Sequence, residues 1–384
     1  MSERAIGFGV IGCGLMGREF ASAAARWNHL VGVDARPRIV AACDASPGVL
    51  AAFCASNPGV RGFTDFHEVL AQPDVEALYI AVPHHLHKEV YLAAIAAGKH
   101  FLGEKPFGID RDANHRIMVA LRQRPELVVR CSSEFPFFPG VQKIVRLAQD
   151  GRMGRLLEVR SGLLHSSDMD PMKPLNWKRV ARLNGEYGCM GDLGMHAVHV
   201  PLRLGITPRD VRASLSKIVR ERPGPSGEMT ACDTWDNALL LCTATSGDPG
   251  EEFPLLLEMK RMAPGHMNTW YLEIYGTRMS ARFSTRSPRT VEILAYERGA
   301  PQAWSVMDIG YDSAYPAITG AIFEFGFADA IQQMWAAYCD EIAHGRERMS
   351  QPFHCATPEE TESSHALFDA ALKSAKERAV VRLG

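Results

Sequence analysis

The sequence predicts an α/β protein with a doubly wound parallel sheet first and an α+β domain with a large, mostly antiparallel open sheet after it. Three observations predict this architecture. The chain has 384 residues, which is too long for one ordinary core. Strand-like apolar runs alternate with helical segments up to about residue 135, and extended segments follow one another later. We therefore place two domains at 1–135 and 136–384, and expect the C-terminal helices to return to the first domain.

Composition limits the classes of partner. Apolar residues make up 46% and charged residues 22% of the chain, as in ordinary globular proteins. The net charge is -2 and there is no long run of Lys or Arg, which argues against nucleic acid or a membrane surface as a partner. The nine cysteines form no C-x-x-C pair, so we expect neither a disulfide framework nor a zinc ribbon. We find no signal peptide and no apolar run near the roughly 20 residues of a membrane span, and therefore expect a cytoplasmic protein.

A glycine motif opens the first domain. The apolar run 6–11 leads into G-x-G-x-x-G spacing and an Ala-rich helix, the arrangement in which backbone approaches a pyrophosphate at a helix N-terminus. A second β-branched run ends in an aspartate, which suits both ribose hydroxyls and favours NAD over NADP because no arginine follows directly. A plain structural turn is the alternative. The predicted NAD-binding residues of this region are Gly12, Gly14, Leu15, Met16, Gly17 and Asp44.

Further strand ends extend this site. Ligands of doubly wound sheets lie at the carboxyl ends of the strands. Lys105 follows the apolar run "HFLG" and precedes Pro106; it is either a solvated loop lysine paired with Glu104 or a cation that holds a substrate oxygen. We assign to the cofactor site the residues at these strand ends, Pro83, His84, His87, Glu104 and Lys105.

The sequence of the second domain predicts a sheet followed by two helices. Extended segments from "RLLEVRSGLLHS" to "TVEILAYE" alternate polar and apolar residues, which leaves one face for helices or another subunit. The final helix begins with Thr357 as cap and Pro358 in its first turn, and we expect His365 to lie on its face without a chemical role. The helix before it places four apolar residues at helical spacing, namely Ile331, Met334, Trp335 and Tyr338.

An acid and two imidazoles stand in "EYGCMGDLGMHAVHV", residues 186–200. Asp192 and His196 share one helical face, so the carboxylate can orient an imidazole that accepts protons near neutral pH. The alternative is a helix cap and a packed histidine. His199 could join them at a metal, but three ligands on one straight helix rarely converge, so we predict no metal and a structural His199.

These motifs together resemble the Gfo/Idh/MocA oxidoreductase family, which includes glucose–fructose oxidoreductase and inositol dehydrogenase. The resemblance is carried by the glycine motif, "AVPHHLH", "EKP", "GDLGMH" and "ATPEE", in order over nearly the whole chain. It implies a Rossmann NAD-binding domain and an open sheet that joins subunits, hence a homodimer or homotetramer. It also implies that His196 takes a hydroxyl proton from a sugar, cyclic polyol or sugar derivative while hydride goes to NAD, with Lys105 and Asp192 assisting.

Departures from the family pattern concern the substrate. Glu134 and Pro136 stand where family members often have Asn and Arg, and His84 and His199 where many have Asn and Asp. A polar stretch that suits a hydroxyl-rich or anionic ligand, unless its charges are simply solvated, contains Asp168, Asp170 and Lys173. The residues that we expect to bind substrate are His165, Trp177 and Lys178.

Three activities are compatible with these residues. The first is an NAD-dependent dehydrogenase. The second is a glycosidase that keeps its NAD and acts by transient oxidation, elimination, hydration and re-reduction; reduced cofactor accumulates only with the first. The third is a catalytically silent NAD-dependent regulator, against which the retained Lys105, Asp192 and His196 argue.

Overall fold

The computed structural model describes residues 4–247, 251–309, 313–320, 322 and 325–383. Contacts divide the chain into a first unit, Met1–Phe137 with Ser313–Thr361, and a second unit, Phe138–Asp312 with Glu362–Gly384. The helices of the described residues are α1 (Leu15–Ala25), α2 (Pro47–Ser56), α3 (Phe66–Leu70), α4 (His87–Ala96), α5 (Arg111–Arg122), α6 (Pro139–Gln149), α7 (Ala181–Asn184), α8 (Cys189–Arg203), α9 (Phe327–His344) and α10 (Pro358–Glu377). The strands are β1 (Arg4–Ile11), β2 (Ala35–Cys43), β3 (Arg61–Phe63), β4 (Ala77–Ile80), β5 (His100–Gly103), β6 (Val129–Cys131), β7 (Leu156–Leu164), β8 (Thr207–Pro208), β9 (Asp210–Ser216), β10 (Glu221–Pro223), β11 (Met229–Ala231), β12 (Asn237–Thr245), β13 (Glu252–Lys260), β14 (Thr269–Gly276), β15 (Met279–Ser284), β16 (Thr290–Ala295), β17 (Ser305–Asp308) and β18 (Val381–Arg382).

The first unit contains a parallel sheet in the order β3-β2-β1-β4-β5-β6. Its central strands are buried along most of their length, as expected for continuous apolar runs covered by helices on both faces. The order reverses between β1 and β4, which is where such sheets bind ligands. The predicted doubly wound fold is confirmed.

Helix α9 belongs to the first unit and fills its core. The Trp335 indole stacks on Phe20 with ring centroids 3.8 Å apart and meets the Phe8 ring edge-on at 5.6 Å. The four apolar residues predicted at helical spacing on this helix are each at most 1% exposed. Burial of one such side chain stabilises a fold by about 1.5–3 kcal/mol, so α9 is an integral part of this unit.

The second unit is built on a large sheet, which in the described residues runs β17-β16-β15-β14-β7-β13-β12-β9-β18, with β8 paired to β12. Every neighbouring pair is antiparallel except β7 with β13. Burial alternates along β12 and β13, and α8 packs against β7 and β13 on the buried face. The predicted mostly antiparallel open sheet is confirmed.

The last helix, α10, starts as its sequence predicts. The Glu360 N–H donates to Thr357 Oγ1 over 3.3 Å, and the Thr357 N–H donates to Glu360 Oε2 over 2.8 Å, which is a capping box. Further along α10, the Phe368 ring packs against Gly194 of α8. A Cβ at position 194 would lie 2.2 Å from that ring, so only glycine permits this contact. His365 is fully buried. No helix among the described residues combines the length and the apolarity that crossing a bilayer requires.

Candidate active site

The glycine turn of the first unit lies between β1 and α1. Gly12 has φ +99°, and a Cβ there would lie 2.3 Å from the Ala81 carbonyl oxygen; a Cβ on Gly17 would lie 2.2 Å from the Gly12 carbonyl oxygen. A Cβ on Gly14 would meet nothing within 4 Å. Gly12 and Gly17 are therefore required by the packing of the chain, whereas Gly14 borders open space at the N-terminus of α1. Helix N–H groups facing such space fit the phosphates of a dinucleotide.

Asp44 follows β2 at the same edge of the sheet. Its Oδ2 accepts from the Cys13 N–H and its Oδ1 from the Ser46 N–H, both over 2.9 Å. Two backbone donors thus fix the carboxylate beside the glycine turn. A carboxylate at this position suits ribose hydroxyls and repels a 2′-phosphate, so the residues present fit NAD. Next to this turn, Leu15 is 66% exposed and Met16 is partly exposed.

The segment after β4 brings Pro83, His84 and His87 to this edge. His84 is 3% exposed and His87 is fully buried. His87 Nδ1 lies 2.6 Å from the Pro106 carbonyl oxygen and Nε2 2.9 Å from the Val82 carbonyl oxygen, and burial lowers the pKa of the ring. Sequence reasoning placed His87 among the cofactor-binding residues. The ring therefore lies between the loops that follow β4 and β5, and a direct contact of His87 with the cofactor stays a prediction.

Lys105 follows β5 in a buried cluster. Glu104 is 6% exposed; its Oε1 accepts from the Tyr79 hydroxyl over 2.7 Å, and its backbone oxygen accepts from the Tyr91 hydroxyl over 2.7 Å. Lys105 Nζ lies 3.7 Å from Glu104 Oε2, and the lysine side chain is only 16% exposed. Lys105 therefore forms the predicted ion pair with Glu104, but its side chain is mostly buried and not solvated as in an exposed loop.

Glu134 follows β6, the neighbour of β5. The Ser132 N–H donates to the Gly103 carbonyl over 2.9 Å, which continues the pairing to the strand ends. Glu134 is 3% exposed, and burial raises the pKa of its carboxyl to about 7; the Glu104 carboxylate raises it further and the Lys105 ammonium lowers it. The departure that the sequence flagged is thus a buried carboxyl in the electrostatic environment of Lys105.

In the second unit, a glycine turn sets the start of α8. Gly188 has φ +58°, and a Cβ there would lie 2.5 Å from the Trp235 backbone nitrogen. The Cys189 N–H donates to the Trp235 carbonyl over 3.0 Å. The helix therefore begins at a fixed point and places Asp192 in its first turn, where the helix dipole stabilises a carboxylate. His196 follows one turn later on the same face.

Asp192 is clamped between two cations. The carboxylate is 2% exposed. Its Oδ1 accepts from Lys178 Nζ over 2.7 Å, and its Oδ2 accepts from Arg261 Nε over 3.3 Å. The Lys178 side chain is 40% exposed, and its ammonium lies 5.7 Å from the centroid of the Trp177 ring. The structure thus brings together the predicted Asp192, Lys178 and Trp177, and adds Arg261.

Two further predicted site residues, His196 and His165, belong to the same unit. His196 is 3% exposed, and its backbone oxygen accepts from the Trp270 indole N–H over 2.8 Å. His165 Nδ1 lies 2.8 Å from Ser167 Oγ; burial lowers the pKa of this imidazole to about 4, with Asp192 opposing the shift and Lys178 reinforcing it.

His199 is fully buried with Nε2 2.9 Å from Arg203 Nη2, and burial and Arg203 hold its pKa well below the usual range. A neutral His199 ring therefore accepts a hydrogen bond from Arg203, which is a structural contact. Among the described residues, no cluster of three or more His, Cys, Asp or Glu side chains is arranged to hold a metal ion. All nine cysteines are free thiols.

The polar stretch after β7 is organised by arginines that sequence reasoning missed. Arg179 is fully buried and pairs with both Asp168 and Asp236, while Lys173 Nζ lies 3.0 Å from Asp168 Oδ1. Arg222, also fully buried, donates to the backbone oxygens of Asp168, Asp170 and Lys173. No local pattern marks these arginines, because their partners lie up to 57 residues away along the chain.

Comparison with known proteins gives consistent matches. Residues 6–130 match the model of an oxidoreductase family with an NAD-binding Rossmann fold, and residues 141–282 match the GFO/IDH/MocA C-terminal domain. Levoglucosan dehydrogenase of Pseudarthrobacter phenanthrenivorans is 29% identical over 291 residues, 72% of this chain and 73% of that protein. Inositol 2-dehydrogenase 2 of Saccharopolyspora erythraea is 31% identical over 153 residues, 40% of this chain and 43% of that protein.

The fold has solved counterparts. A levoglucosan dehydrogenase in complex with NADH and L-sorbose superimposes with a TM-score of 0.87 over 99% of both chains, at 23% sequence identity. At this identity the likeness establishes the fold alone.

Proposed function

Because the chain belongs to the Gfo/Idh/MocA family of NAD-dependent oxidoreductases, we propose that it oxidises a hydroxyl of a sugar, cyclic polyol or sugar derivative. The observation that carries this proposal is the buried Asp192 carboxylate, which binds the partly exposed Lys178 ammonium. Asp192 lies on α8 one helical turn before His196. An acceptor imidazole next to a fixed ion pair is suited to taking the proton of a hydroxyl.

The first unit holds the cofactor in this proposal. Gly12, Gly14 and Gly17 form the turn at the N-terminus of α1, and Asp44 receives the ribose hydroxyls. Bound NAD supplies the acceptor for the hydride that leaves the oxidised carbon.

The protein's own residues handle the proton and the oxygen. His196 accepts the proton of the substrate hydroxyl, and the Lys105 ammonium donates to the substrate oxygen, where negative charge develops. Asp192 keeps the Lys178 ammonium in place, and this partly exposed ammonium binds a second oxygen of the substrate. The names of the two sequence relatives, a levoglucosan and an inositol dehydrogenase, support a sugar or cyclitol as substrate.

A screen of sugars, polyols and glycosides with NAD tests the proposal, with reduced cofactor and released aglycone followed in parallel. We expect reduced cofactor to accumulate in proportion to oxidised substrate. Aglycone release without net reduced cofactor would instead establish the redox-assisted glycosidase. Absence of both signals across the panel would favour an NAD-binding regulator.

A further inference from the structure

Arg261 is a fully buried charge that the proposed mechanism does not use. It directly follows β13, and its backbone N–H donates to the Asp236 carbonyl over 3.0 Å. Removing a guanidinium from water is costly unless a carboxylate and further acceptors replace the solvent. The arrangement of those acceptors around Arg261 indicates what the residue does.

The guanidinium donates to six residues of the second unit, four within 178–192 and two at 234–235. An arginine has five N–H donors in a rigid plane, and here all three of its nitrogens are engaged. Nε donates to Asp192 Oδ2 over 3.3 Å. Nη1 donates to the Lys178 carbonyl over 3.2 Å and, over 3.4 Å, to Thr234 Oγ1 and the Trp235 carbonyl. Nη2 donates over 3.4 Å to Asn184 Oδ1 and to the Gly188 carbonyl.

These acceptors are the parts that locate Asp192. Gly188 ends the turn that starts α8, and Trp235 is the residue against which that turn packs. Lys178, whose carbonyl Arg261 binds, is also the residue whose ammonium binds the opposite oxygen of Asp192. Asp192 therefore binds a fully buried cation through one carboxylate oxygen and a partly exposed cation through the other. The planar guanidinium, held by several acceptors, fixes the carboxylate and thereby the place where the ammonium is bound.

We propose that Arg261 is a positioning residue of the active site: it fixes the Asp192 carboxylate and the glycine turn of α8, and thereby the place of the Lys178 ammonium. This inference rests on the proposed function, in which Asp192 and Lys178 act on the substrate. It assigns the buried charge a role through Asp192 rather than a role in general packing.

A double-mutant cycle on turnover tests whether Arg261 acts through Asp192. The variants are Arg261→Met, Asp192→Asn and their combination, assayed with NAD and either levoglucosan or myo-inositol. We expect Arg261→Met to lower kcat by about 10- to 100-fold with an unchanged KM for NAD, and the double variant to be no slower than Asp192→Asn. Losses that multiply in the double variant would overturn the inference.

Two further variants separate positioning from stability. Arg261→Lys keeps the charge and one direct contact, so it should recover part of the kcat that Arg261→Met loses. Arg222→Met removes an equally buried arginine whose hydrogen bonds go to the backbone oxygens of Asp168, Asp170 and Lys173. Its effect should multiply with that of Asp192→Asn, because the two act independently.

Urea unfolding provides the same test without a substrate. The midpoint shift of the Arg261→Met/Asp192→Asn protein should be smaller than the sum of the single shifts, whereas Arg222→Met and Asp192→Asn should add. Additive shifts for Arg261 and Asp192 would overturn the inference even if neither probe is a substrate.

The proposed function fails separately from the inference. Full turnover in Asp192→Asn would refute the function assigned to that carboxylate. Loss of turnover in Asp192→Asn with full turnover in Arg261→Met would refute the inference alone.

Discussion

The two units surround their site residues with opposite balances of charge. In the first unit, the buried carboxyls of Glu104 and Glu134 share the environment of one ammonium, that of Lys105. In the second, the ammonium of Lys178 and the guanidinium of Arg261 share one carboxylate, that of Asp192. In each unit, burial favours the neutral form of one group of the site: it raises the pKa of Glu134 to about 7 and lowers the pKa of His165 to about 4.

The difference also concerns how each cluster is assembled. In the first unit, Glu104 and Lys105 are adjacent in the chain after β5, and only Glu134 comes from another strand end, that of β6. Lys178, Asp192 and Arg261 come from three segments, and Arg261 is 69 residues beyond Asp192. Site residues that are adjacent in the chain can be predicted from a short sequence motif. A cluster assembled from distant segments depends on the packing of the whole unit.

The largest expected effect separates catalysis from cofactor binding. Lys105→Ala in one unit and His196→Ala in the other should each lower kcat by about 10²–10⁴-fold, because each removes a group proposed to handle the reacting oxygen or its proton. NAD affinity, measured by fluorescence titration, should remain close to that of the wild type in His196→Ala and change far less than kcat in Lys105→Ala. Lys99→Ala is the matched control, since its ammonium binds only the Gln72 and Val75 carbonyls in the hydrogen bonds described for it. Unchanged turnover in Lys105→Ala would remove that residue from the mechanism.

A smaller effect should be confined to the first unit. Asp44→Ala should weaken NAD binding about tenfold, which corresponds to about 1.4 kcal/mol, because the acceptor for ribose hydroxyls is lost. Calorimetric titration measures the change. Asp65→Ala is the control, because Asp65 also accepts a backbone N–H over 2.9 Å but caps α3 instead. Equal weakening by both variants would show a loss of folding rather than of a ribose contact.

The burial of a carboxyl in the first unit and of an imidazole in the second predicts opposite pH slopes of stability. The folded pKa of Glu134 is raised from 4.5 to about 7, so its contribution to the free energy of unfolding is full below pH 4.5 and is lost as pH rises to about 7. The folded pKa of His165 is lowered from 6.5 to about 4, so its contribution is full above pH 6.5 and is lost as pH falls to about 4.

Urea unfolding between pH 4 and 8 tests these two slopes. Glu134→Gln should remove a decline with rising pH of up to roughly 3 kcal/mol, and His165→Asn a smaller rise because its ring is partly exposed. The differences from wild type should therefore slope in opposite directions. Slopes of the same sign in both variants would contradict the contrast between the two units.

The smallest effect on turnover is expected on the open sheet of the second unit, which we propose joins subunits. Leu239 and Leu241 on β12 are 41% and 49% exposed. Leu241→Lys should reduce the sedimentation coefficient while changing kcat less than twofold, because a buried charge disfavours a subunit contact. Val119→Lys, at a position 44% exposed on α5 of the first unit, is the control. A wild-type protein that sediments as a monomer would end this proposal.

Sequence reasoning recovered what local spacing encodes. The glycine spacing, the strand that ends in Asp44, the "EKP" segment and the helical turn between Asp192 and His196 are all visible in contiguous stretches. They led to the confirmed family, fold class and cofactor. For His87, composition and position in the sequence could not reveal that both ring nitrogens face backbone carbonyls.

Sequence alone thus determined which elements form and which chemical groups stand at their ends, because periodicity and backbone freedom act over a few residues. Tertiary structure decided which groups are in contact: Trp335 with Phe20, Lys178 with Asp192, and Arg261 with acceptors in 178–192 and 234–235. Those contacts depend on how parts of the chain that are far apart in sequence pack together. The charge balance of each cluster, and the burial that shifts the pKa values of Glu134 and His165, arise only from such packing.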